Sequence, residues 1–251
     1  MNQSERRLYL VSFLLSERGE EYRERYDEET ERRLLRGLMN VRPPRPVPEE
    51  FLQVQDEYLQ EETRRKGITD SASFPEGITV WQGDITTLRI DGIVNAANSG
   101  LTGCYYPNHG CIDNAIHTYA GVELRLCCDG IIKAQGHEEA TGTCKITPAY
   151  NLPSRFVLHT VGPIVQGRVK ESDREMLRKC YEACLGRAAE NGLQSLAFCC
   201  ISTGEFHFPG REAAEIAVST VKAFLGKGTS VKKVVFNVFK DADREIYKGI
   251  V

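Results

Sequence analysis

Between residues 5 and 39, leucines and tyrosines are interleaved with arginines and glutamates, with no proline and only Gly19 and Gly37 as glycines. That mixture predicts one or two charged helices. The run Val41-Arg42-Pro43-Pro44-Arg45-Pro46-Val47-Pro48 stops them, because proline lacks the amide donor and disfavours helix in the residue before it. Another helical stretch is predicted over 49–66, and 67–75 reads as a connection. The boundary falls near Ser73, so residues 1–73 are expected to form a helical extension and residues 74–251 the main domain.

Beyond Gly77 the pattern changes to short β-branched runs. Strands are predicted at 78–82, 92–96, 143–146, 156–160, 195–201 and 233–238, and helices at 112–120, 122–134, 173–190, 211–225 and 242–247. Such alternation predicts the α/β class, a sheet covered by helices on both faces, with ligands where loops leave the carboxyl ends of strands. No internal repeat is visible, which sets solenoids aside.

Composition narrows the function classes. A chain of 251 residues with 41% hydrophobic and 27% charged content suits a soluble globular protein. A net charge of −3 gives no global reason to bind nucleic acid or an anionic membrane, so any anionic ligand must be held by local geometry. The first residues carry no secretory apolar region and no stretch spans a bilayer, so the expected location is the cytoplasm. Nine cysteines, an odd number, predict reduced thiols, with Cys127-Cys128 and Cys199-Cys200 read as small core residues.

Four loops carry candidate chemistry. Asp84, after the first main-domain strand, is either a turn cap or an acceptor for an exocyclic amine such as that of adenine. Asn95 and Asn98, leaving the second strand, offer amides suited to ribose hydroxyls, or serve the turn. Cys104, His109 and Cys111 lie within eight residues, in a segment too rich in Pro and Gly for helix. Either they are close by chance or they hold Zn2+ with one coordination position open, as catalytic zinc requires. Asp113 follows at a helix start, where it complements the dipole or orients a water. Ser202-Thr203-Gly204-Glu205-Phe206, between an apolar strand and a helix, exposes backbone donors that can cradle phosphate without net positive charge. Phe206 and Phe208 taken singly read as core aromatics, and His117, His137 and His159 as surface or satisfied core histidines.

Gly83-Asp84-Ile85-Thr86, Val94-Asn95-Ala96-Ala97-Asn98, Ile112-Asp113-Asn114-Ala115-Ile116-His117, His159-Thr160-Val161-Gly162-Pro163 and Ile201-Ser202-Thr203-Gly204 together resemble the ordered motifs of macrodomains. The resemblance covers the chain from Gly77 onward and implies a three-layer α/β/α fold with a mixed six-stranded sheet, behind the N-terminal helical extension. It implies ADP-ribose contacts from Asp84, Ile85, Asn98, Cys104, His109, Cys111, Ile112, Asp113, Ser202, Thr203, Gly204, Glu205 and Phe206, with Asp84 at adenine and Asn98 at the distal ribose. Hydrolytic macrodomains usually carry glycines where this chain has the cysteine loop. In that respect it is similar to microbial zinc-dependent ADP-ribosylhydrolase macrodomains, which are linked to sirtuin-type transferases and lipoate-carrier genes. The implied activity is removal of mono-ADP-ribose from protein side chains, Asp- or Glu-linked, with Asn98 and Asp113 catalytic and Zn2+ on Cys104, His109 and Cys111. The implied partners are ADP-ribose and a mono-ADP-ribosylated protein, a lipoyl carrier of the glycine-cleavage H type among the candidates, with no nucleic acid or membrane. A reader without turnover and an O-acetyl-ADP-ribose deacetylase are the alternatives, and Glu205 and His207 have no role assigned from sequence.

Overall fold

The computed structural model describes residues 1–23 and 26–251. The extension forms three helices, α1 (Gln3–Ser16), α2 (Glu28–Val41) and α3 (Glu49–Lys66). The helical reading of 5–39 thus divides into two helices, and its positions 24 and 25 lie outside the described residues. Polar caps start the first two. The Asn2 side chain accepts from the Glu5 amide while Glu5 reaches back, and Asp27 accepts from Thr30, satisfying amides that a first turn leaves unpaired. α2 stops at Arg42, before Pro43, and α3 at Gly67. Leu10, Leu14, Leu35, Phe51 and Leu59 close a small core between the three helices. Each such burial contributes about 1.5–3 kcal/mol.

Strand β1 (Thr69–Asp70) follows α3 and pairs in parallel with β3 (Leu88–Arg89), a ribbon that the apolar pattern does not announce. The main sheet holds β2 (Gly77–Gln82), β4 (Gly92–Ala97), β5 (Cys144–Pro148), β6 (Phe156–Val161), β7 (Ser195–Phe198) and β8 (Lys233–Val238). Their order is β2-β8-β7-β4-β6-β5, parallel throughout except for β5 against β6. Val94, Leu158, Leu196 and Val235 are fully buried, as expected of parallel strands covered on both faces. The covering helices are α4 (Ile112–Ala120), α5 (Val122–Gln135), α6 (Glu171–Glu190), α7 (Gly210–Leu225) and α8 (Asp241–Lys248), completing the three-layer α/β/α fold.

Three boundaries of the main domain differ from the sequence reading by two or more residues, each for a local reason. β7 ends at Phe198 rather than at 201, because its pairing with β8 stops there and Cys199 to Ile201 turn out of the sheet. β5 runs on to Pro148, which pairs with Phe156 across the antiparallel edge. α6 begins at Glu171 because the Asp173 carboxylate accepts from the Lys170 amide and closes the first turn early. No helix among the described residues is long and apolar enough to cross a membrane.

The extension is fastened to the main domain by buried polar contacts. The Arg125 guanidinium, on α5, donates to the carbonyl oxygens of Asn40 and Arg42 at the end of α2, at 2.7 and 2.6 Å, and to that of Thr102 at 2.6 Å. Gln55 on α3 accepts from the Val122 amide at 2.9 Å. Gly121, at φ 97°, is required there, since a Cβ would lie 2.6 Å from the Gln55 amide nitrogen.

Candidate functional site

Because β2, β8, β7 and β4 run parallel, their carboxyl ends share one edge, and the loops leaving them enclose a cleft of about 1010 Å³. That volume sits at the upper end for small-molecule sites. Asp84, Ile85, Asn98, Cys104, His109, Cys111, Ile112, Asp113, Ser202, Thr203, Gly204, Glu205 and Phe206 all line it. Residues more than a hundred positions apart are brought together by strand order alone.

At one end stands Asp84, which takes the turn-cap role that the sequence left open. Its Oδ1 caps a 3-10 turn by accepting from the Thr86 amide at 2.9 Å, and its Oδ2 faces the cleft and accepts from Lys66 Nζ at 2.9 Å. Burial opposes ionisation, but the Thr86 hydroxyl and Lys66 hold the carboxyl below its ordinary range. Lys66, the last residue of α3, also lies 3.3 Å over the Tyr119 ring.

At the other end the two asparagines divide the work. Asn95 is fully buried and donates to Asp113 Oδ1 at 2.8 Å, which makes it structural. Asn98 lines the cleft, donating to Asp113 Oδ2 at 3.1 Å and to the Gly103 carbonyl at 3.0 Å. Asp113 is thereby oriented through both oxygens. Burial pushes its pKa up to about 6, against the lowering effect of Asn95, Arg125 and Asn98.

The histidines read as lacking partners divide differently. His137 is exposed, whereas His117 and His159 are buried behind Asp113, their ring centroids 6.1 Å apart. His159 Nε2 lies 3.0 Å from Thr147 Oγ1 and its Nδ1 3.3 Å from Asn95 Nδ2. Since Asn95 donates there, Nδ1 accepts and Nε2 carries the proton, and burial lowers the His159 pKa to about 4. Burial also drives His117 well below its ordinary range. Both rings are neutral at pH 7.

Cys104, His109 and Cys111 converge, with their ligand atoms within 4.8 Å of one another. Cys104 Sγ lies 3.6 Å from His109 Nδ1. Zinc bonds of 2.3 Å to sulfur and 2.0–2.1 Å to nitrogen at a tetrahedral angle set those two atoms about 3.6 Å apart, so the donors fit that ion in type and spacing. The far nitrogen, Nε2, faces Glu205 Oε1 at 3.6 Å, a placement that gives Glu205 a carboxylate-to-imidazole contact across the cleft.

The loop after β7 is the phosphate candidate. The amides of Thr203, His207 and Phe208 are spent on carbonyls of the same loop. Among the described residues, those of Gly204, Glu205 and Phe206 make no hydrogen bond within the protein, leaving three successive donors on a wall of the cleft. Ser202 holds φ at 63°, and its buried Oγ has no partner among the described residues. Phe208 is a core aromatic, while Phe206 is half-buried at the cleft.

The cleft also contains residues the sequence reading passed over. Arg36 and Lys66 come from the extension, and nothing in a run of charged helix marks two cations among many. Phe239 and Lys240 directly follow β8, a predicted strand, and the rule that ligands gather at carboxyl ends could have found them.

A family model described as Macro domain matches residues 94–217. The chain is 53% identical over 261 residues to a protein-ADP-ribose hydrolase of Treponema medium, covering 100% of both chains. It is 52% identical to a protein-ADP-ribose hydrolase of Staphylococcus aureus (strain MSSA476), over 86% of this chain and 82% of that one. Among solved structures, a mutant Oceanobacillus iheyensis macrodomain with ADPR superposes at a TM-score of 0.62 with 38% identity, covering 68% of this chain and 89% of that one. Given the fold, the cleft and a relative spanning its whole length, the chain belongs to the macrodomain family.

Proposed function

We propose that this protein is a protein-ADP-ribose hydrolase that uses Zn2+ to release mono-ADP-ribose from modified side chains, Asp- or Glu-linked. The observation that carries the reading is the convergence of Cys104, His109 and Cys111 on the same cleft wall as Asn98 and Asp113. Relatives bearing the hydrolase name, and a macrodomain solved with ADPR, support the substrate class.

In this reading adenine meets Asp84 and Ile85, and the diphosphate is gripped by the free amides of Gly204, Glu205 and Phe206 beside the start of α4 at Ile112. Binding energy from this remote end holds the reacting bond in place. Asn98 orients the distal ribose, and Asp113, aligned by Asn95 and Asn98, orients a water and takes up its proton. Bound zinc would supply Lewis acidity at that position. The proposal extends to a modified lipoyl carrier as one substrate.

The test is release of ADP-ribose from a mono-ADP-ribosylated acidic-residue peptide, and from a modified lipoyl carrier, by wild type, chelator-stripped protein and Cys104→Ser, with metal content measured on each. Release by wild type alone, restored to the stripped sample by added zinc, is expected. Equal release by all three would remove zinc from the mechanism, and binding without release by any would make the protein a reader.

A further inference from the structure

The 104–111 loop has no regular secondary structure, and one backbone hydrogen bond closes inside it, from His109 N to the Tyr106 carbonyl at 3.2 Å. It also contains Asn108 at φ 56°, a conformation that side chains other than glycine adopt at a cost. Three ligands presented within 4.8 Å by such a segment need outside support.

That support comes from α2, which lies outside the matched family model. Arg36 Nη2 donates to the His109 carbonyl at 3.0 Å and to Asn114 Oδ1 at 2.8 Å, and Nε reaches the same Oδ1 at 3.2 Å. Asn114, fully buried on α4, turns its amide nitrogen to the Tyr106 carbonyl at 3.0 Å, and its backbone amide meets Cys111 Sγ at 3.4 Å. One turn along α2, Asn40 Oδ1 accepts from the Asn108 amide at 3.0 Å. Gly37 lies between them, where an added Cβ would sit 3.2 Å from Asn108 Nδ2, so α2 runs hard against the loop.

We infer that Arg36 is a positioning residue for the metal loop, fixing the backbone at His109 so that Cys104, His109 and Cys111 are presented as one preformed set. The inference rests on the zinc reading of the proposed function. It assigns the extension a task in the reaction: its helices hold the loop from behind while the macrodomain supplies the ligands. A planar fork that reaches a carbonyl and an amide oxygen at once is what the position uses, and a lysine cannot reproduce it. Arg36 lies outside the core of the extension, so its loss leaves that packing in place.

The test uses the full chain. Zinc affinity is measured by competition with a chromophoric chelator, and amide hydrogen exchange over 104–111 is followed in zinc-free protein. Removing an outer partner of a metal ligand costs about 10–100-fold in affinity, and Arg36→Ala is expected to fall in that range, with Arg36→Lys recovering little. Exchange at Asn108 and His109 should rise, while loss of the partner of the buried Asn114 Oδ1 lowers the thermal midpoint of the zinc-free chain by no more than about 2–12 °C. Arg33→Ala, an exposed position on the same helix, should match wild type in all three. Zinc affinity within about twofold of wild type, with unchanged exchange, overturns the inference and leaves the zinc reading intact. A wild type that binds no zinc overturns the zinc reading, and the exchange measurement still decides whether Arg36 holds the loop. Should Arg36→Ala fail to fold, Arg36→Gln, which keeps one donor, takes its place.

Discussion

Replacing Asp113 separates the chemistry of the cleft from its architecture. The carboxylate accepts from Asn95 at 2.8 Å and from Asn98 at 3.1 Å, and it is 5% exposed. Asp113→Ala removes one acceptor from each amide. Asn98 lines the cleft and can turn to water, whereas Asn95 is fully buried and cannot. One buried donor left unpaired costs about 1–3 kcal/mol. In a chain of this length that corresponds to a drop of about 2–12 °C in the thermal midpoint, so the protein stays folded at assay temperature. The free amides at 204–206, the proposed diphosphate donors, lie on a different loop and are untouched, so ADP-ribose affinity should change by less than about tenfold. Turnover should fall by about 10²–10⁴-fold, the range for losing a positioned general base. The assay pairs calorimetric ADP-ribose binding with single-turnover release from a modified peptide, and Asp113→Asn repeats both in a near-isosteric side chain. Turnover within about tenfold of wild type in either variant would refute the role given to Asp113. Parallel loss of binding and turnover would make it a scaffold for Asn98 instead.

Gly162→Ala places a Cβ 2.1 Å from Ser202 Oγ and 2.9 Å from Ile201 Cγ2, so the phosphate loop must move; affinity for ADP-ribose should fall by about tenfold or more, with about 1–3 kcal/mol lost from stability. Pairing it with Ser202→Gly removes the larger clash and leaves the one with Ile201, so calorimetry should then show partial recovery; no recovery would place the damage elsewhere. His159 stays neutral in the fold down to about pH 4, while in the unfolded chain it binds a proton below about pH 6.5. Its contribution is therefore complete above about pH 6.5 and is lost as pH falls toward about 4, by up to about 3 kcal/mol. Denaturant unfolding across that window should show a shallower decline for His159→Gln than for wild type, and equal slopes would contradict the buried neutral ring.

Much of the architecture was legible from local pattern, because strand and helix formation here follow β-branched runs, proline stops and polar caps that act over a few residues. Lys233–Val238 and Glu49–Lys66 stand where apolar runs and helical composition put them. Composition likewise suggested a chain able to hold an anion only by local geometry, and the three free amides at 204–206 offer geometry of that kind. The cleft residues could be nominated because each sits in a loop following a strand or at the start of the helix after it, where turn and cap chemistry shows in sequence. What sequence could not decide is what crosses between elements far apart in the chain. Whether Asn95 or Asn98 lines the cleft depends on where β4 ends, since Asn95 lies within the covered strand and Asn98 in the loop beyond it, and the meeting of His117 with His159 depends on α4 packing on β4, the neighbour of β6. The contacts of Glu205 with His109, of Lys66 with Asp84 and of Arg36 with the His109 carbonyl join groups from different loops and helices. No local pattern encodes them, since each requires the sheet to be assembled and the extension docked before the two partners meet.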